Sequence, residues 1–158
     1  MSIQVNHIHE VHLDVPYVTE QERLDMRIKA DKKGLFDEKH PMISFCPERG
    51  TLTIGRDVIR VLNYPYCIDL LQDDAACQVA IAVGDPEDPQ TFQVPKGFPE
   101  DTKKSFRINS KAYVEEMMEM HQRSRFYETT GEIAGAKEKS FQFMGVYNAK
   151  HQAVIFQL

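Results

Sequence analysis

Residues 2–15 alternate between apolar and polar positions in the manner of a β-strand, and Pro16, which fixes φ and removes a backbone donor, closes the run. Thr19 and Glu22 then form a T-x-x-E capping box, in which each side chain satisfies the other end's free N–H. The segment EQERLDMRIKADKKG that follows combines strong helix formers with lysines near its end and Gly34 as a stop. Leu24, Met26, Ile28 and Ala30 alternate as in a strand, but propensity and both end signals agree on a helix.

From Met42 the pattern turns strand-rich. MISFC, a turn at Pro47-Glu48-Arg49-Gly50 and TLTI predict a hairpin. GRDVIRVLN predicts a two-turn helix with Val58, Ile59 and Leu62 on its buried side. Asn63-Tyr64-Pro65 ends it, because the residue before a proline avoids the helical region. YCIDLLQ and CQVAIAV predict two strands joined by the polar turn DDAA. The stretch GDPEDPQTFQVPKGFPEDTKK holds four of the eight prolines and reads as a linker crossing the surface.

The same order then returns. SFRI predicts a short strand, and Asn109 or Ser110 caps a helix running to about Gln122. Tyr113, Val114, Met117, Met118 and His121 form one apolar stripe on it, opposite Glu115, Glu116, Glu119 and Gln122, with Met120 left exposed. RFYETT is a candidate strand, and ETTGEIAGAKEKS a polar, small-residue loop expected to be mobile. FQFMGVY and QAVIFQL alternate cleanly around Asn148-Ala149-Lys150-His151, a terminal hairpin. Thr51–Ile54 with its helix and two strands therefore matches Ser105–Ile108 with its own, at an offset of about 54 residues, through apolar positions such as Leu52/Phe106 and Ile54/Ile108.

Composition narrows the class. Hydrophobic residues make up 42% and charged residues 27% of the 158. A chain of this length buries roughly 70% of its unfolded surface, so no metal or disulfide staple is required. No apolar run approaches the ~20 residues of a membrane span, and MSIQVNHIHE lacks the basic and apolar regions of a signal peptide. A soluble, cytoplasmic domain is expected. A formal charge of −5 disfavours non-specific attraction to phosphate backbones. Only 86–111 is locally basic, through Lys103, Lys104, Arg107 and Lys111. Cys46, Cys67 and Cys77 are odd in number, lack C-x-x-C spacing and sit in or beside apolar runs, as buried structural thiols do.

The segment Arg49-Gly50-Thr51-Leu52-Thr53-Ile54-Gly55-Arg56-Asp57-Val58-Ile59-Arg60-Val61-Leu62-Asn63, followed by YCIDLL and CQVAIAV, resembles the AbrB/MazE/SpoVT swapped-hairpin family over about residues 42–84, and over 105–158 by pattern. That family reads as a basic-Gly turn, a T-I-P strand end, a short amphipathic helix and two strands. The resemblance implies two units interleaved into a small barrel whose basic face binds DNA, with contacts at Arg49 in the turn and Arg56 at the helix start. The family's proline is Gly55 here, its helix-ending glycine is Asn63, and Arg60 stands where the family often has an acid. The chain is also similar to short uncharacterised bacterial proteins in which an AbrB-like unit precedes a D-D/E-D-P linker and a final V-I-F-x-L strand.

Chemistry beyond that is sparse. Arg56 and Arg60, at i and i+4, repel unless an anion lies between them, which fits a phosphate near a helix start as well as a solvated face in which Asp57 pairs with Arg60. His7, His9 and His12 form H-x-H-x-x-H, but on a strand His12 points away from the other two, so a metal site is not expected. Gly131–Lys137 lacks the spacing of a phosphate loop. No cysteine carries a nucleophile signature.

The expected fold is a β-rich α+β body. It has an N-terminal strand and helix extension (1–40) and a single body (41–158) of two β-α-β-β units, 41–85 and 105–158, joined by a proline-rich linker at 86–104. Packed together, the units form one small barrel-like body. The expected function is non-enzymatic: AbrB-like binding of double-stranded DNA and transcription regulation, with contacts at Arg49, Arg56, Arg107 and Lys111. The alternative is a protein-interaction module with no nucleic-acid role. No catalytic residue, metal or cofactor is expected, nor a membrane partner, and the chain works as a monomer or a homodimer.

Overall fold

In the computed structural model, which describes residues 9–16, 19, 21–22, 40–126 and 140–158, inward and outward side chains alternate strand by strand. Ile43 and Phe45 of β2 (Met42–Cys46) and Leu52 and Ile54 of β3 (Thr51–Ile54) point into the core, while Ser44 and Thr53 face out. The pair forms the expected hairpin, with Phe45 opposite Leu52. After β3 come α1 (Arg56–Val61), β4 (Cys67–Asp73) and β5 (Gln78–Val83). Then follow β6 (Phe92–Gln93), β7 (Phe106–Asn109), α2 (Lys111–Phe126), β8 (Phe141–Asn148) and β9 (Ala153–Gln157). Of the N-terminal strand, the structure shows β1 (His9–Glu10), which pairs in parallel with β4. The Thr19 hydroxyl accepts from the Glu22 N–H at 3.1 Å, half of the capping box. The rest of that helix lies outside the described residues.

The strands form one sheet in the order β1-β4-β5-β9-β8-β2-β3-β7, with β6 also on β4, and it curls around one large core. The class is thus β-rich α+β. The path runs from β1 to β7 without returning on itself, so among the described residues the body is an open, curled sheet. Strands matched by the sequence pattern meet in space. β3 pairs with β7, Thr53 opposite Arg107, and the β4–β5 and β8–β9 hairpins join through β5 and β9. The helices differ, at 6 and 16 residues.

Helix α2 starts at Ser110, whose hydroxyl accepts the Tyr113 N–H, and it buries the expected stripe. Met120, expected outside, is also fully buried, since the apolar arc widens to 113, 117 and 120 against the curled sheet. Arg125 and Phe126, read as the start of a strand, continue this helix, and 127–139 lie outside the described residues. The proline-rich stretch is more than a crossing. It supplies β6 and buries Phe92, Val94, Phe98 and Pro99.

Helix α1 ends in a Schellman motif: the Tyr64 N–H bonds the Ile59 carbonyl and the Asn63 N–H that of Arg60. Asn63 takes φ +62, a conformation asparagine tolerates in glycine's place. At the helix's other end, the Gly55 N–H donates to the Met42 carbonyl at 2.8 Å, and a Cβ on Gly55 would stand 2.6 Å from that oxygen. A proline has no such N–H and adds that carbon. Gly55→Pro should therefore cost about 2–4 kcal/mol through a lost hydrogen bond and a backbone clash. Urea unfolding would show a lower midpoint at unchanged slope.

Candidate functional site

The sequence singles out Arg56, and the structure gives it a task inside the fold. At the first turn of α1 its guanidinium reaches across to the 99–104 loop. It donates to the carbonyls of Pro99, Asp101 (3.0 Å), Thr102 (3.3 Å) and Lys104 (2.7 Å), and lies over the Phe98 ring at 5.2 Å. Five donors in a rigid planar fork suit such a ring of acceptors. Arg60, one turn on, pairs with Asp57 at 2.9 Å and Glu100 at 3.3 Å, and Glu100 also accepts from the Tyr64 hydroxyl at 2.8 Å. Burial pushes the Asp57 carboxyl up, but Arg60 and the His40 N–H outweigh it and hold the group below its usual range. Tyr64, then Arg60, likewise hold the Glu100 carboxyl down. The oxygens expected near this arginine pair are the protein's own carbonyls and carboxylates.

The other basic candidates stand apart from Arg56. Arg49 lies exposed in the β2–β3 turn, whose Gly50 abuts Lys111 at the start of α2. A Cβ on Gly50 would come within 2.7 Å of the Lys111 Cα, and the Ser110 N–H bonds the Gly50 carbonyl. Arg107 stands on β7 in a row with Thr53, Ser44 and Gln142 across four strands. This outer face of β7-β3-β2-β8 is partly exposed and mixed, its polar row flanked by Met42, Cys46 and Met144, with Arg107 as its charged residue and Arg49 and Lys111 at one end. Lys103 and Lys104 are exposed in the loop that Arg56 holds. Gly131–Lys137 and His7 lie outside the described residues. Cys67 and Cys77 are buried and Cys46 half-buried, and burial pushes the Cys77 thiol up.

The other half of the same outer face is covered by the N-terminal segment, whose alternation predicts a strand through residue 15 but which, among the described residues, is a strand only at His9–Glu10. After β1, residues 11–16 cross the outer side of β5 and β9. Leu13 is 1% exposed, packed among Ala80, Ala82, Ala153 and Ile155, with Val11, Val15 and Leu71 around them. The arm's main chain is gripped at successive points. Its Val11 N–H donates to the Gln72 carbonyl at 2.8 Å, and its Leu13 N–H to Asp73 Oδ2 at 3.0 Å. The Leu13 carbonyl meets His151 Nε2 at 2.8 Å, and the Val15 carbonyl accepts from Gln78 Nε2 at 3.1 Å. Asp14 bends the arm with φ +53. Gln78 is 1% exposed and also donates to Gln157, while its Oε1 has no hydrogen-bond partner among the described residues. His12, one of the three N-terminal histidines, is exposed, with Nδ1 3.5 Å from Asp73 Oδ2.

The signal for this groove is present but quiet. Ala80, Ala82 and Ala153 fall on one face in register, Ala82 opposite Ala153, and leave a depression that a leucine fills. Main-chain capture by buried Asp73 and Gln78 fixes backbone shape, and the alanine floor sets the size of the central side chain. No protein-family model matches the chain, and no curated protein or solved structure is detectably similar to it. Among the described residues, no helix is long and apolar enough to cross a membrane.

Proposed function

We propose that the protein is a non-enzymatic interaction module whose partner is another polypeptide. The observation that carries this reading is the reception of residues 9–16 on the outer sheet face, where four main-chain contacts and a buried leucine hold a peptide segment. Engagement of Arg56 with carbonyls supports it, because the contact on which DNA recognition would centre is already occupied. A charge of −5 adds to this.

A second reading is AbrB-like DNA binding and transcription regulation. It is favoured by one arrangement: Arg49 and Lys111 flank the Thr51–Asn109 end of the β3–β7 ladder, and Arg107 stands exposed on the same ladder opposite Thr53. Fluorescence anisotropy of labelled duplex DNA at about 50 and 200 mM salt separates the two, since phosphate-driven binding changes steeply over that range. Flat curves at both salts are expected. Binding that weakens steeply with salt and is lost on Arg107→Ala or Lys111→Ala would replace the first reading with the second.

A further inference from the structure

We infer that the outer edge of β7 takes up an extended, acidic segment of another polypeptide as one more strand of the sheet. The inference rests on the interaction-module reading and names both the surface and the chemistry of the partner.

The register fixes which main-chain groups this edge offers. The Ser110 N–H bonds the Gly50 carbonyl at 2.8 Å, and bonded pairs alternate along an antiparallel ladder. Leu52–Ile108 and Ile54–Phe106 are therefore the bonded pairs of β3 and β7. Thr51 and Thr53 turn their main chains the other way, to β2, in step with the Gly55 N–H on the Met42 carbonyl. Arg107 and Asn109 accordingly direct N–H and C=O away from β3, and among the described residues no strand lies beyond β7. Both residues are exposed. Such alternate pairs of donor and acceptor are the template that an added strand completes.

Charge selects the occupant. Residues 103–111 contain Lys103, Lys104, Arg107 and Lys111 and no acid. Lys103, Arg107 and Lys111 are exposed, and among the described residues none of the three pairs with a carboxylate. Arg107 stands on the outer face opposite Thr53, so the partner residue that exchanges bonds with Arg107 meets its side chain on that face. An aspartate or glutamate there makes a cross-strand ion pair, and Lys103 and Lys111, which bracket the strand, attract acids toward either end. A second copy of this chain is disfavoured, because pairing β7 with β7 sets two basic runs side by side. A phosphate backbone answers the charge but brings no peptide groups to complete the ladder.

Fluorescence anisotropy of the full chain tests this with a labelled peptide of about ten residues, alternating glutamate and valine. At about 50 mM salt it should bind with a dissociation constant below about 1 mM, and a lysine–valine peptide of equal length should not. Hydrogen exchange supplies a readout that charge attraction alone does not move. At saturation the Arg107 and Asn109 amides should exchange at least about tenfold more slowly, since each gains a bond. Arg107→Glu should weaken binding about tenfold or more. Arg107→Pro removes the outward N–H without touching a bond to β3 and should abolish binding. Should the proline variant not fold, Arg107→Glu, at an exposed position, decides alone. No binding up to about 1 mM overturns the inference. So does binding that leaves both amides unprotected or is unchanged in Arg107→Glu. Such a failure beside flat DNA curves removes this edge and leaves the interaction-module reading standing. Duplex DNA binding that is lost on Arg107→Ala while the peptide fails makes the edge a nucleic-acid contact and overturns both.

Discussion

Gly145→Ala is expected to lower the unfolding temperature by roughly 5–10 °C, the result of about 2–3 kcal/mol lost to overpacking. Gly145 sits where β8 changes partners: residues 141–144 pair with β2 and 145–148 with β9. Its N–H bonds the Pro41 carbonyl while it stands opposite Phe156 on the other side. Val154 and Phe156, both fully buried, cross directly over its α-carbon. An added Cβ would lie 2.5 Å from Val154 Cγ1 and 2.6 Å from Phe156 Cε1. Neither side chain can retreat from a core packed at crystal-like density, so the clash strains the bend of the sheet itself. Shortening one neighbour should relieve it. Gly145→Ala with Val154→Ala is expected to be less destabilised than the two single changes added together, by about 1–2 kcal/mol. Strict additivity in chemical unfolding would show that the bend is set elsewhere.

Local pattern carried the hairpins and the long helix. Alternation in MISFC and TLTI, and again in FQFMGVY and QAVIFQL, fixes which side chains face inward, and a turn between such runs admits one antiparallel register. The buried stripe from Tyr113 to His121 follows from the helical period in the same way. Long-range pairing is a different kind of information. The apolar match of Leu52 with Phe106 and Ile54 with Ile108 was visible, yet the observed neighbours are Leu52 with Ile108 and Ile54 with Phe106, because the two strands run antiparallel. Prolines in 86–104 mark turns truly but do not report burial, and Phe92, Val94 and Phe98 pack into the core between them. For the arm, alternation through Val11, Leu13 and Val15 was legible. The alanine floor beneath it was not, since small residues in a strand signal close approach without naming what approaches.

The arginine pair shows the limit most clearly. Two cations at i and i+4 ask for negative charge nearby, and sequence does not distinguish a phosphate oxygen from a carbonyl. Because the structure supplies carbonyls, Arg56→Ala should act on stability. Four acceptors around the 99–104 loop lose a charged donor and Phe98 loses its stacking partner, costing about 2–4 kcal/mol, or roughly 5–12 °C in unfolding temperature. Arg56→Lys should recover little of this, since a compact ammonium cannot span four carbonyls and has no planar face to lay on Phe98. Amide exchange across 97–104 should accelerate in both variants while the β8–β9 hairpin stays protected, because the defect is local to the clasped loop. An arginine kept for an external phosphate would behave in the opposite manner: its removal would leave stability within about 0.5 kcal/mol, as for ordinary surface positions. An unchanged unfolding temperature in Arg56→Ala would therefore free this side chain for a ligand and return the DNA reading to first place.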